Sequence, residues 1–229
     1  AFLLNVASNL AVKENLPVGF FTLEMSQEEV GDRLLVAQAG IDSWRLKTGK
    51  LEDTDFDKLQ EAMGVLAEAP IYIDDTPGLS IMEMRTKARR LQLEKGLKLL
   101  LVDYLQLMDS GRHYDNRVQE VSIVSQALKN LARELKVPVV AASQLNRQVE
   151  ARGSKKPQLA DLRESGSIEQ DADLVMFLYR PEETKDMAPG DKIPTKLSID
   201  KNRGGPLREF DFMFNGAQMQ FRLMAKQTE

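Results

Sequence analysis

A run of four apolar residues, Leu99-Leu100-Leu101-Val102, limits the possible folds of this chain more than any other feature. An element with one exposed face would interrupt such a run with polar residues, whereas a strand buried on both faces does not. Other short apolar stretches alternate with segments of helical spacing, which predicts an α/β fold with a mostly parallel β-sheet flanked by helices. The predicted strands are 18–23, 71–73, 98–102, 137–143 and a further buried strand at 173–179.

Helical segments with clear start signals lie between these strands. Ser26 and Ser80 each stand just before a helical pattern, at the position of an N-cap whose hydroxyl accepts a backbone hydrogen bond. Two alternating segments flank Gly204-Gly205 and predict a C-terminal β-hairpin. The predicted helices are 1–14, 26–39, 42–69, 80–95 and a long one after 117, the hairpin strands are 195–201 and 207–214, and the loops are 145–160 and a mobile 181–194.

The composition excludes several classes of site. The chain has 229 residues, enough for one large α/β domain. It has no cysteine, which excludes disulfides and thiolate-bound zinc, and its single histidine argues against a histidine-rich metal site or a Ser-His-Asp triad. The net charge of −4 argues against a wholly basic nucleic-acid-binding surface but allows a local basic channel. The apolar runs are strand-sized, so we expect no membrane association and a cytoplasmic location.

Three predicted strands end at a polar residue that could act on a nucleotide: Glu24, Asp103 and Gln144. The carboxyl ends of parallel strands form the crevice in which α/β folds bind ligands. In ATPases an Asp at this position holds Mg²⁺. A Glu there can orient or deprotonate the attacking water, and an amide can sense a γ-phosphate.

Taken one at a time, these residues also suit structural roles. Asp103 could cap the next element, Glu24 could support the N-terminus of the helix that follows it, and Gln144 could be a solvated strand end. The residues alone leave these alternatives open.

The phosphate-binding loop that such residues would serve, G-x-x-x-x-G-K-[ST], does not occur in the chain. The single Gly-Lys pair, Gly49-Lys50, is followed by Leu51, and Trp44 stands where the first glycine would be. The first residues have the pattern of a helix interior and lack a helix start signal. We therefore expect the loop and the first strand to lie just ahead of Ala1.

Two further segments contain cations that could contact phosphate, and residues 145–163 carry a local excess of Arg and Lys. Lys201 and Arg203 flank Asn202 near the hairpin tip and project to the same side. They are either a solvated face or, in a ring assembly, arginine fingers that reach a neighbour's nucleotide. The segment 161–173 places Arg163 close to Gly166, where the backbone can approach a phosphate, although an ordinary surface loop has the same composition.

Five segments together resemble the replicative DNA helicases of the DnaB family. They occur in the family's order, and the resemblance covers essentially the whole chain. It implies a RecA-like motor domain over 1–229 that lacks its first strand and its Walker A loop. The segments are Thr22-Leu-Glu-Met-Ser26, Val102-Asp-Tyr-Leu-Gln-Leu-Met108, Ser143-Gln-Leu-Asn-Arg147, Asp161-Leu-Arg-Glu-Ser-Gly-Ser-Ile-Glu-Gln-Asp-Ala-Asp173 and Lys201-Asn-Arg-Gly-Gly-Pro206.

The resemblance also implies a role for each matching residue. Glu24 is the catalytic carboxylate, Asp103 is the Walker B acid that holds Mg²⁺, and Gln144 links the γ-phosphate of ATP to DNA. Arg33 matches a position near the nucleotide base. Lys201 and Arg203 reach the nucleotide of the neighbouring subunit, and Arg163, Glu164 and Gly166 match the loop that holds the single-stranded DNA backbone.

The implied activity is ATP-driven 5′–3′ translocation on single-stranded DNA by a homohexameric ring that unwinds the replication fork. A primase and a helicase loader are the expected protein partners. Because the phosphate loop is missing, we expect the chain to be inactive alone. Two alternatives remain: another RecA-type ATPase, such as a recombinase or a clock-type ATPase, and an assembly module that hydrolyses nothing.

Overall fold

The computed structural model describes residues 1–111, 116–146, 149, 156–181 and 192–225, with the backbone alone at 163–166. Within these residues the strands form two four-stranded sheets. The first is parallel, with the strand order β2-β1-β3-β4, and it confirms the predicted sheet. Its strands are β1 (Val18–Thr22), β2 (Ile71–Asp74), β3 (Leu99–Asp103) and β4 (Val139–Ala141).

The two central strands, β1 and β3, are the apolar ones. All five residues of β1 and the first four of β3 are buried, as the uninterrupted apolar run predicted. The strands pair in register from Val18 with Leu99 to Thr22 with Asp103. Both strands therefore end at the same level, and the residues that follow them leave the sheet side by side.

Helices connect the strands and cover the sheet. Ser26 and Ser80 cap α2 and α5 as predicted, and Glu29 and Glu83 complete a capping box at each end. A cap of this kind stabilises a helix by about 1 kcal/mol. The helices are α1 (Phe2–Ser8, continued by a π-helical turn at Asn9–Lys13), α2 (Gln27–Ala39), α3 (Ser43–Thr48), α4 (Asp53–Glu68), α5 (Ile81–Lys95), α6 (Arg117–Leu135) and α7 (Gly166–Asp171).

The prediction of one helical stretch over 42–69 was wrong, because the structure has two helices there, α3 and α4. Gly49 ends α3 in the left-handed conformation with φ of 67°, which a glycine adopts without strain. The chain then turns, and Glu52 begins α4 as an N-cap. The Gly49-Lys50 pair is thus a helix end, and the Lys50 ammonium lies over the Trp44 ring, 4.8 Å from its centroid.

The second sheet is antiparallel, with the order β5-β6-β7-β8, and it contains the predicted hairpin. The strand β8 was not predicted. The strand predicted at 173–179 exists, but the prediction that it is buried holds for one face only: Val175 and Phe177 are buried and pack on the core, whereas Leu174, Met176 and Leu178 are exposed. The strands are β5 (Leu174–Tyr179), β6 (Lys192–Asn202), β7 (Arg208–Asn215) and β8 (Gln220–Leu223).

One apolar cluster joins the two sheets. It contains Val102 of β3, Leu131 of α6 and Phe177 of β5, all of them buried. At the other end of the antiparallel sheet, the Phe2 ring of α1 packs edge-on against Phe221, with the ring centroids 5.4 Å apart. The parallel sheet, with its bound helices, and the hairpin sheet are therefore packed together through a shared interior.

Parts of the two predicted loops lie outside the described residues, at 147–148, 150–155 and 182–191. The mobility of 181–194 stays a prediction for the residues not described, but residues 192–194 lie in β6 (Lys192–Asn202) and not in a loop, because they pair with β7. In the portion of the chain that is described, no helix has both the length and the apolar character needed to cross a membrane.

Candidate active site

The strand order identifies one point on the parallel sheet where a ligand is expected. The connection that leaves β1 leads to β2 on one side, and the connection that leaves β3 leads to β4 on the other side. Connections that diverge from two adjacent parallel strands leave a crevice at their carboxyl ends, and ligands of open α/β sheets bind there. Asp103 is the last residue of β3, and Glu24 lies in the turn just after β1. Gln144 lies just after β4, the next strand of the sheet.

Glu24 lies in a tight turn that is bonded to β3. The backbone N–H of Leu23 donates to the carbonyl oxygen of Asp103 across 2.8 Å, which continues the β1–β3 pairing by one residue. The Thr22 hydroxyl donates to the carbonyl of Met25 and accepts from its N–H, both at 3.0 Å. The Glu24 side chain lies in the turn that these hydrogen bonds close, and it is exposed.

Asp103 is half-buried at the end of β3, and the start of α1 lies near it. The Arg33 guanidinium and the Asp103 carboxylate both act electrostatically on the nitrogen of Ala1, in opposite directions. Both side chains are therefore near enough to the start of α1 to influence a charged group there.

Gln144 is exposed at the tip of β4, and a second glutamine holds its backbone. The Gln106 side-chain amide accepts from the N–H of Gln144 and donates to its carbonyl, both at 3.3 Å, and it donates to the Ser143 hydroxyl across 2.9 Å. Arg117 in turn donates to the carbonyl of Gln106. Sequence reasoning missed Gln106, although it stands in the segment that follows β3.

Lys201 and Arg203 lie on the same side of the hairpin, as predicted, and both contact the end of α7. Lys201 donates to the carbonyl of Glu169. Arg203 donates to the carbonyl of Gln170 across 2.5 Å and lies 3.4 Å from an Asp173 carboxylate oxygen. Cations are favoured at a helix C-terminus, where carbonyl groups lack partners. The Arg203 side chain is still 51% exposed.

The segment predicted to hold DNA leads directly into α7. A 3₁₀ turn at Leu159–Ser165 precedes this helix. The helix is fixed to α6, because Ser125 donates to the Asp171 carboxylate across 2.8 Å. The side chains of Arg163 and Glu164 are not described, and at Gly166 the structure describes the backbone. Their predicted contacts with DNA therefore stay predictions.

The residues present fit a magnesium ion that is held mainly by its ligand. No cluster of three or more His, Cys, Asp or Glu side chains suited to a metal occurs among the residues that the structure describes. Mg²⁺ in nucleotide sites typically takes one or two carboxylates and completes its coordination with phosphate oxygens and water. The carboxylate of Asp103, at the edge of the sheet, is enough to meet that requirement.

Comparison with known proteins decides the family. Residues 1–223 match the family described as DnaB-like helicase C terminal domain. The chain belongs to this family. It is 50% identical over 215 residues to the replicative DNA helicase DnaC of Bacillus subtilis, covering 93% of this chain and 47% of that relative. The chain thus spans about half the length of the curated helicases it matches.

Solved structures of DnaB-like helicases share this fold. The ATPase domain of G40P superposes with a TM-score of 0.91 at 34% identity, covering 98% of this chain and 80% of that one. A DnaB-like replicative helicase, described with its interactions with primase, gives 0.89 at 35% identity over 96% of this chain and 53% of that one. The match confirms the predicted RecA-like fold of a DnaB-family ATPase domain.

Proposed function

We propose that this chain is the ATP-hydrolysing motor of a replicative DNA helicase that translocates 5′–3′ on single-stranded DNA. The observation that supports the proposal is that Glu24, Asp103 and Gln144 stand at or just after the carboxyl ends of the adjacent strands β1, β3 and β4. A carboxylate that can act on water, one that can hold a metal and an amide that can sense a phosphate are the groups that nucleotide hydrolysis needs at such an edge.

Each group has a distinct task in this proposal. Asp103 holds Mg²⁺, which when bound offsets the negative charge on the nucleotide phosphates. Glu24, exposed in its turn beside Asp103, orients the attacking water and accepts its proton. Arg33, which acts electrostatically on the start of α1, contacts the bound nucleotide. Gln144, whose backbone is fixed by Gln106, responds to the terminal phosphate.

Lys201 and Arg203 act on the nucleotide of the next subunit in a homohexameric ring. Their shared direction and the exposure of Arg203 support this assignment. A cation delivered across an interface stabilises charge that develops on the transferred phosphoryl group. The contacts of the same two side chains with α7 join the nucleotide interface to the segment that precedes that helix.

Single-stranded DNA is bound by the segment that contains Arg163, Glu164 and Gly166. The position of this segment supports the assignment, because it follows a stretch with four cations (Arg147, Arg152, Lys155 and Lys156) and leads into α7. Binding of this kind follows the phosphates, ignores the base sequence and weakens with salt. A primase and a helicase loader are the proposed protein partners, and the cytoplasm is the proposed location.

The 229 residues contain no phosphate-binding loop, so we propose that the chain alone binds ATP weakly or not at all. Activity is therefore measured in a chimera, in which this chain replaces the matching part of the Bacillus subtilis relative. The rest of the relative supplies what these residues do not contain.

Unwinding of a forked duplex with a 5′ single-stranded tail tests the proposal. The chimera is expected to displace the strand when ATP and Mg²⁺ are present, and to fail on a fork with only a 3′ tail. Strand exchange without unwinding would favour a recombinase instead. A chimera that assembles and binds DNA but hydrolyses no ATP would favour an assembly module.

A further inference from the structure

The turn that carries Glu24 is closed by a buried hydroxyl. Thr22 is the last residue of β1, and it is 1% exposed. Its hydroxyl makes two hydrogen bonds to one residue: it donates to the carbonyl of Met25 and accepts from the N–H of Met25, each at 3.0 Å. The two residues between Thr22 and Met25 are Leu23 and Glu24, so the closed turn contains the exposed carboxylate.

A further backbone hydrogen bond fixes the other side of the turn to β3. The N–H of Leu23 donates to the carbonyl of Asp103 across 2.8 Å, and Thr22 itself stands in register with Asp103. The backbone of residues 22–25 is therefore fixed both to itself and to β3. The backbone of Glu24 is therefore held at a defined place relative to β3 and Asp103.

We infer that Thr22 is a positioning residue, whose hydroxyl sets the place of the Glu24 carboxylate for reaction with water. The inference rests on the proposed function of Glu24. A hydroxyl is required because a single group must both donate and accept, and an apolar side chain of the same shape can do neither. Misplacement of a reacting group by about 1 Å lowers a rate by up to about a hundredfold.

Two substitutions separate the hydroxyl from the shape of the side chain. Thr22→Val keeps the branched shape and the preference for a strand but removes both hydrogen bonds. Thr22→Ser keeps the hydroxyl and loses one methyl group. In this chain, the amide of Met25 is expected to exchange with solvent roughly tenfold faster in Thr22→Val, while Thr22→Ser keeps the native rate within about threefold.

The kinetic test is made in the chimera at a temperature well below unfolding. Thr22→Val is expected to lower kcat for ATP by about tenfold to a hundredfold, with an unchanged Kd for a non-hydrolysable ATP analogue. Thr22→Ser is expected to restore most of kcat. A merely structural role would lower the unfolding midpoint of both variants and leave kcat unchanged while they are folded.

A double-mutant cycle with Glu24→Gln distinguishes failure of this inference from failure of the proposed function. If Thr22 acts through Glu24, then Thr22→Val has no further effect on kcat once the carboxylate is gone. Normal kcat in Thr22→Val, or an equal loss in the Glu24→Gln background, overturns the inference. Normal hydrolysis by Glu24→Gln would instead overturn the proposed role of Glu24 itself.

Discussion

Arg203 donates a hydrogen bond to the backbone carbonyl of Gln170 across 2.5 Å, so the tip of the hairpin is bound to the end of α7. This helix begins at Gly166 and follows directly on the 3₁₀ turn that carries Arg163. A side chain proposed to contact a neighbour's nucleotide thus also contacts the element next to the proposed DNA segment. Arg203 therefore connects the proposed nucleotide interface directly to the helix beside the proposed DNA-binding segment.

The first prediction concerns Arg203. In the chimera, Arg203→Ala is expected to lower ATP hydrolysis by roughly 10³-fold to 10⁵-fold, as is typical for the loss of an arginine finger. Arg208→Ala is the matched control, because Arg208 is an exposed arginine of the same hairpin. Steady-state phosphate release measures both. A normal rate in Arg203→Ala would remove this residue from the reaction.

A mixing experiment then shows whether Arg203 acts on the next subunit. Arg203→Ala subunits keep Glu24, and Glu24→Gln subunits keep Arg203. If the two residues meet across an interface, mixed rings form some complete sites and regain part of the activity. If Arg203 acts only within its own chain, through α7, the mixture stays as inactive as its components.

The second prediction concerns Gln106, whose amide holds the backbone of Gln144. Gln106→Leu keeps the size of the side chain but removes its donor and acceptor, at a cost of about 1 kcal/mol in unfolding free energy. The amide of Gln144 is expected to exchange faster in hydrogen-exchange experiments. Gln92→Leu, a change in α5, serves as the control. Equal exchange at Gln144 in both variants would contradict the conclusion that Gln106 fixes the backbone of Gln144.

The third prediction is a pH dependence of stability. Hydrogen bonds from Lys196 at 2.8 Å and then from Lys156 at 3.0 Å lower the pKa of Glu209 from 4.5 to about 2. A carboxyl whose pKa is lowered by folding stabilises the folded state above its unfolded-state pKa and loses that contribution as the pH falls. The free energy of unfolding is therefore expected to decrease as the pH is lowered from 4.5 to about 2.

Urea unfolding across this pH range checks the Glu209 prediction. Glu209→Gln removes the titrating group, so its stability is expected to depend less on pH than that of the native chain. Glu61→Gln, a change at an exposed position of α4, is expected to keep the native slope. The same slope in all three proteins would show that Glu209 does not titrate as described.

The fourth prediction concerns the chain by itself. Without the amides and the lysine of a phosphate loop, it is expected to bind ATP with a Kd well above the micromolar range. Isothermal calorimetry with ATP and Mg²⁺ measures this directly. Micromolar binding would mean that other residues, such as Arg33, supply the phosphate contacts.

Elements with local signals were predictable from the sequence. The apolar run of β3 and the caps at Ser26 and Ser80 each lie within a few residues, and the structure confirms all three. The break at Gly49 also had a local signal, a glycine that ends a helix, but the charged helical pattern on both sides hid it. The strand β8 has only four residues, and its pairing with β7 defines it.

The site was predictable only in outline. Parallel strands end at one edge, so the positions of Glu24, Asp103 and Gln144 followed from strand assignment alone. The hydrogen bonds that fix them did not follow, because Gln106 lies 38 residues from Gln144 in the sequence. Thr22 carried a local signal, since a Thr hydroxyl at the end of a strand can close a turn with the backbone.

Hydrolysis of ATP by the chimera with Glu24→Gln tests the central claim most directly, because the substitution removes the carboxylate and keeps the shape of the side chain. Single-turnover hydrolysis is expected to fall by about 10²-fold to 10⁴-fold, with ATP-analogue binding and ring assembly unchanged. A hydrolysis rate equal to that of the unsubstituted chimera would contradict the account, since Glu24 at the shared edge of β1 and β3 would then take no part in the reaction.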